Sequence, residues 1–138
     1  MENNSIFIEK LRSSGLRPTK QRLEICKLLF DRKKTFHFTI RDLSRLLKNK
    51  CNKKISLATI YNTVHSFKKK GYLKEILINR EKSYFDTNTS NHHHFLDMST
   101  NELIDLKEED VDKIKIKKNL SGKKIKSIEV LVKIENNN

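Results

Sequence analysis

The run Asn91-His92-His93-His94-Phe95 places three of the five histidines of this 138-residue chain side by side. Imidazole binds zinc, iron, manganese or haem iron reversibly at neutral pH, so such a cluster points to ligand sensing. Its place in the chain sharpens that reading. Residues 1–90 hold 21 Lys/Arg against 8 Asp/Glu, whereas residues 91–138 hold 9 of each, so the whole excess of +13 lies before the histidines. A basic module joined to a neutral one is how a polyanion-binding part linked to a sensing part is built.

The elements that must position these residues can be read from the spacing of apolar residues. Residues 5–14 predict a short helix stopped by Gly15. Thr19, next to the only proline, caps a second helix to about residue 33, with Leu23, Ile25, Cys26, Leu29 and Phe30 inward. Thr39 caps a third, with Ile40, Leu43, Leu46 and Leu47 as its apolar stripe, and residues 48–54 read as a loop. Ser56 caps a fourth helix that ends at Gly71. Leu57, Ile60, Val64 and Phe67 form its core stripe, while Ala58, Asn62, His65 and Lys69, with Tyr61 at the edge, line the opposite face. That face has bases and no acid, as a helix entering a DNA major groove requires.

Residues 72–77 and 82–86 predict a β-hairpin around the basic tip at Arg80. Helices followed by such a hairpin make a winged helix-turn-helix, the hairpin being the wing. Residues 92–96 and 103–106 predict short strands, residues 108–118 a helix, and residues 125–135 a half-buried strand with Ile128, Val130, Val132 and Ile134 at period two. The expected class is α+β: a DNA-binding domain over residues 1–87, a hinge over 88–91, and a small α/β dimerisation and sensing domain over 92–138. A unit this thin gains a core by pairing with a second copy, and a homodimer presents two recognition helices to a palindromic site.

Composition excludes several other classes. No apolar run approaches the roughly 18–20 residues that span a bilayer. The start Met1-Glu-Asn-Asn-Ser5 lacks the layout of a secretory signal. Cys26 and Cys51 form no CxxC pair, which fits free thiols in a reducing cytoplasm. A small metal-dependent hydrolase or nuclease would need a general base beyond the ligands, and none is evident.

Several segments resemble the ferric uptake regulator (Fur) superfamily of bacterial metal-responsive repressors. They are Gly15-Leu-Arg-Pro-Thr-Lys-Gln-Arg22, Ile55-Ser-Leu-Ala-Thr-Ile-Tyr-Asn-Thr63, Lys82-Ser-Tyr-Phe-Asp86 and the histidine run. Within it, Ser83 to Phe95 is similar to the haem-responsive region of the iron response regulator (Irr) branch. The resemblance implies a sensory site for one divalent metal per subunit (Fe, Mn or Zn) formed by His37, Asp86, His92, His94 and Asp105. It also implies haem binding through His92, His93 and His94. In a strand, His92 and His94 point to one side and His93 to the other.

The structural zinc that many members bind through two CxxC pairs is not possible here. Asp97 and Thr100 stand at the first pair, and no cysteine follows Cys51. For DNA, the resemblance implies groove contacts from Ser56, Thr59, Tyr61 and Asn62, and a minor-groove contact from Arg17. Lys20, Arg22, Lys68, Lys69 and Arg80 are the phosphate candidates. The function so implied is a dimeric regulator of A·T-rich palindromic operators, active in low iron and inactivated by haem. A metal-activated Fur-type repressor sensing Fe, Mn, Zn or peroxide is the alternative.

Overall fold

Hydroxyl caps start the second, third and fourth helices of the N-terminal unit, Met1–Thr89. In the computed structural model, which describes residues 4–51 and 54–138, helix α1 (Ser5–Ser13) turns out of the helix through Gly15 at φ 79°. Helix α2 (Lys20–Phe30) begins where Thr19 accepts a hydrogen bond from the Arg22 N–H. It stops at Phe30 rather than near residue 33, because Asp31 to Lys34 are all exposed and give the helix nothing to pack.

Helix α3 (Ile40–Cys51) opens with a reciprocal cap. Thr39 Oγ1 accepts from the Asp42 N–H and Asp42 Oδ2 from the Thr39 N–H, each at 3.1 Å. The helix runs on through residues 48–51 of the expected loop. Lys48 and Lys50 favour the negative end of the helix dipole there. Residues 52–53 of the expected loop, the Cys51 side chain and residues 1–3 lie outside the described residues.

Helix α4 (Leu57–Lys70) starts at Ser56, whose Oγ accepts from the Thr59 N–H at 3.1 Å. It ends at Gly71, φ 98°, with the Gly71 N–H bonded to the Phe67 and Lys68 carbonyls. An L-residue is strained in that left-handed conformation although space for a Cβ is open. Gly71→Ala is therefore expected to lower stability by about 1 kcal/mol, read as a shift in the urea midpoint. No shift would mean that the cap does not hold the helix end.

The helices bury Leu11, Ile25, Leu29, Leu43, Ile60, Val64 and Phe67 completely. Phe30 meets Phe67 edge-on at 5.2 Å between ring centres. Two residues expected in the core are not there. Leu46 and Leu57 are 39% and 55% exposed, Leu57 because it opens α4 a turn before the core contacts begin at Ile60. Thr63, not expected inside, is fully buried, its hydroxyl donating to the Thr59 carbonyl at 2.7 Å.

Cys26 is also buried, and that burial pushes its thiol up to about 11 against the smaller opposing charge of Lys10. In a Cys51→Ser chain, Cys26 should then react about 100-fold more slowly with a disulfide reagent at mildly alkaline pH than in the unfolded chain. Equal rates would refute the burial argument. The sign for stability follows from the same shift: the contribution is intact below pH 9 and is lost as pH rises toward about 11.

Three short strands complete this unit. Strands β2 (Lys74–Asn79) and β3 (Lys82–Asp86) form the antiparallel hairpin, with an irregularity between Leu77 and Asn79. Strand β1 (His37–Phe38) pairs with the other edge of β3, giving the order β1-β3-β2. Phe38 stacks on both Phe36 and Phe85, at 5.3 and 5.7 Å, which anchors the strand.

The second unit, Ser90–Asn138, is a sheet in the order β5-β4-β6. Strand β4 (His93–Asp97) pairs antiparallel with β5 (Glu102–Leu106) and parallel with β6 (Leu131–Ile134). Strand β6 is shorter than expected, although Ile128 and Val130 ahead of it are half-buried.

The helix expected over residues 108–118 is not formed. Only a 3-10 turn, Glu108–Asp110, precedes extended chain. Ile114 and Ile116 alternate with lysines at period two, so no helical stripe exists to bury, and β-branched residues add no helix propensity. The class is α+β, a winged helix-turn-helix followed by a sheet unit with no α-helix among its described residues.

Candidate metal centre and nucleic-acid face

Each unit assembles part of the expected metal set within itself. In the first, the antiparallel register puts His37 directly across from Asp86. His37 Nε2 lies 3.0 Å from Asp86 Oδ2, while Asp86 Oδ1 accepts from the Asn88 N–H at 2.8 Å. The carboxylate is fully buried, a position that needs such partners. The expected elements include no strand at His37. The missed signal was the alternation Phe36-His37-Phe38, which sends two aromatic rings inward and the imidazole to the other face.

In the second unit, β4 and the residue before it bring His92 and His94 together, with ring centres 4.4 Å apart. Their Nε2 atoms lie 3.2 and 3.5 Å from one oxygen, Asp105 Oδ1 of β5. The register explains this, because Asp105 is the direct cross-strand partner of His94. His92 Nδ1 is 2.7 Å from the Ser90 carbonyl oxygen. A carbonyl only accepts, so the ring donates from Nδ1 and, when neutral, turns a lone pair at Nε2 toward the carboxylate.

Two lone-pair bearers facing each other at 3.2 Å repel unless a cation or proton lies between them. Ligand atoms about 2.0–2.2 Å from one ion stand about 3–3.5 Å apart, the spacing found here. Two imidazoles and a carboxylate are donors that Zn, Fe and Mn accept. His37 and Asp86 offer the same donor types. The residues present fit a divalent cation.

His93 is engaged differently. Its Nδ1 accepts the Val130 N–H at 3.0 Å, tying the approach of β6 to β4, and the side chain is buried. At the turn after β4, Asp97 Oδ1 accepts from the Ser99 and Thr100 N–H groups at 2.8 and 3.3 Å. A carboxylate thus closes the turn at the positions where the resemblance implies a cysteine pair elsewhere in the superfamily.

The outer face of α4 carries Tyr61, Asn62, His65 and Lys69, all exposed. The Tyr61 and His65 rings stack at 5.4 Å with 11° between planes, which holds the phenol in one orientation. Ser56 and Thr59 are committed to the helix start, the Ser56 hydroxyl donating to Thr59 Oγ1 at 2.9 Å. Arg17, Lys20 and Arg80 are exposed, Arg80 at the hairpin tip. Arg22 Nη1 donates to the Arg17 carbonyl at 3.0 Å and shapes the turn before α2.

Lys68 departs from the expected phosphate role. It pairs with Glu75 of β2 at 2.6 Å. Partial burial works against ionisation of Glu75, but hydrogen bonds from Lys68 and Ser83 and the charges of Lys68 and His65 outweigh it. The carboxyl is held below its usual value. This pair supports the fold above pH 4.5 and is lost as pH falls through the lowered value. Leu57, at the start of the same helix, is also on the surface rather than in the expected core stripe.

The sequence profile of the Ferric uptake regulator family matches residues 13–133. The chain is 34% identical over 107 residues to the peroxide-responsive repressor PerR of Staphylococcus epidermidis, covering 78% of this chain and 69% of that protein. It is 30% identical over 107 residues to the peroxide operon regulator of Bacillus subtilis, covering 78% and 72%. Its fold is similar to that of the manganese-containing ferric uptake regulator of Pseudomonas aeruginosa, with TM-score 0.66, 18% identity, and 96% and 99% of the two chains covered. No helix among the described residues is long and apolar enough to cross a membrane.

Proposed function

The chain belongs to the ferric uptake regulator family of DNA-binding transcriptional regulators, which are not enzymes, and from that premise we propose a metal-activated repressor of the peroxide-responsive kind. The convergence of His92 and His94 on one oxygen of Asp105 carries this reading, since a bound cation would relieve the repulsion among these donors. One divalent ion per subunit would be held by His37 and Asp86 of the first unit together with His92, His94 and Asp105 of the second. An ion shared in this way would couple the winged helix to the sheet unit, so that its occupancy would bias the population competent for DNA. Zinc in such a set has no redox chemistry; iron supplies redox chemistry toward peroxide, and the two relatives above are named for peroxide.

On the DNA side, Tyr61 and Asn62 read base edges, Tyr61 held by its stack on His65. Leu57 offers apolar contact to a thymine methyl. Ser56 and Thr59 would meet the groove only through hydroxyls that already cap the helix. Arg17, Lys20, Lys69 and Arg80 contact phosphate or the minor groove, with Arg22 and Lys68 supporting them from within the fold. The active species is a homodimer in the cytoplasm acting on a palindromic, A·T-rich operator.

The low-iron, haem-inactivated reading has less behind it. His93, which it recruits, is buried and already accepts a backbone N–H. The test is selection of duplex from a random pool by purified protein, with and without Mn²⁺ and haem. Duplex retained only with the cation, and released from iron-loaded protein by peroxide, is expected. Duplex bound by metal-free protein and released by haem would overturn the proposal in favour of the second reading.

A further inference from the structure

The neutrality of the second unit conceals a sharp internal segregation. Residues 97–112 hold seven acids and one lysine, whereas the fourteen residues 113–126 hold seven lysines and no acid. The basic stretch is exposed throughout and enters neither helix nor strand; its one turn passes through Gly122 at φ 73°. None of the seven lysines makes an ion pair or a side-chain hydrogen bond among the described residues. Had their role been to neutralise the adjoining acids, pairing at so short a sequence distance would have been easy. They are instead held in solvent with their charge uncompensated. Surface lysines that merely confer solubility are ordinarily interspersed with acids, and here they are not.

We propose that the segment from Lys113 to Lys126 is a second polyanion-binding surface, which contacts the phosphate backbone of duplex DNA without reading its sequence. Lysine is a flexible point charge, suited to phosphate and poorly suited to bidentate recognition of base edges. A segment outside helix and strand can also follow a backbone whose path it does not dictate. The partner is nucleic acid rather than a membrane surface because the chain already belongs to a DNA-binding family, and because the interleaved Ile114, Ile116, Leu120 and Ile125 form no amphipathic helix that could lie in a bilayer interface. The inference rests on the reading of the chain as a duplex-binding regulator.

The test measures affinity for a mixed-sequence duplex as a function of salt, for the full chain in the presence of Mn²⁺. The quadruple variant Lys115→Gln, Lys117→Gln, Lys118→Gln, Lys123→Gln is compared with wild type, with the same four positions changed to Arg, and with Lys133→Gln on β6 as a control outside the segment. Each lost phosphate contact reduces the slope of log affinity against log salt by about 0.9. A slope smaller by about 2–4 and an affinity at least about 10-fold lower near 50 mM salt are expected for the Gln variant. The Arg variant and Lys133→Gln should match wild type.

Equal slopes for the Gln variant and wild type would overturn the inference while leaving the DNA-binding reading intact. Failure of wild type to retain duplex at any salt would overturn both. Two further results would reassign the segment: loss of binding to phosphatidylserine vesicles alone, or a salt-dependent loss of self-association alone.

Discussion

Phe67→Ala is expected to lower the stability of the winged-helix unit by about 3–5 kcal/mol, a large share of what a domain of this size has. The ring is fully buried. It meets Phe30 edge-on at 5.2 Å and Tyr72 at 6.3 Å, so truncation removes two aromatic contacts as well as leaving a cavity. The same residue anchors the end of α4 through its carbonyl, which receives the Gly71 and Tyr72 N–H groups at 3.1 and 2.9 Å. Urea unfolding followed by far-ultraviolet dichroism measures the loss. A decrease under about 1 kcal/mol would show that this junction does not centre the core as described.

His94→Ala is expected to weaken Mn²⁺ binding by at least about 100-fold, more than loss of a residue that merely orients a ligand. Its Nε2 shares one Asp105 oxygen with His92, and the side chain is only 5% exposed, so water gains little access to replace it. The neighbouring change His93→Ala separates the roles within the histidine run. It orphans the Val130 N–H and should cost about 1–3 kcal/mol of stability while leaving Mn²⁺ affinity unchanged. Isothermal titration with the cation and urea unfolding of both variants give the comparison. Equal losses of Mn²⁺ affinity in the two would refute the division of labour.

Local chemistry made much of the fold legible. Thr19, Thr39 and Ser56 start helices and Gly71 ends one, because caps act through their own neighbours and need no tertiary context. The exposed face of α4 was legible for a similar reason, since periodicity sorts residues before packing does. What the sequence withheld depends on the rest of the molecule. The two-residue strand at His37 forms only because β3 offers an edge and Phe38 finds Phe36 and Phe85.

Leu57 and Leu46 fit an apolar stripe, yet lie where no partner element covers them. The acid-to-base gradient over residues 108–118 suited a helix dipole, but Ile114 and Ile116 give that segment no helical face to bury. In the site, the identity of the donors was legible and their orientation was not. Ser90 fixes the His92 tautomer through its backbone carbonyl, a group that carries no sequence signature. Lys68 likewise looked like a free cation until β2 brought Glu75 against it.

We propose that one divalent ion is shared by His37 and Asp86 with His92, His94 and Asp105. Manganese titration followed by electron paramagnetic resonance tests it most directly, on wild type, Asp105→Asn and His37→Ala. One tightly bound ion per chain is expected in wild type, with weakening by at least about 10-fold in both variants, since each removes a donor to the same ion. Unchanged Mn²⁺ binding in His37→Ala, with loss in Asp105→Asn alone, would contradict it by confining the ion to the second unit.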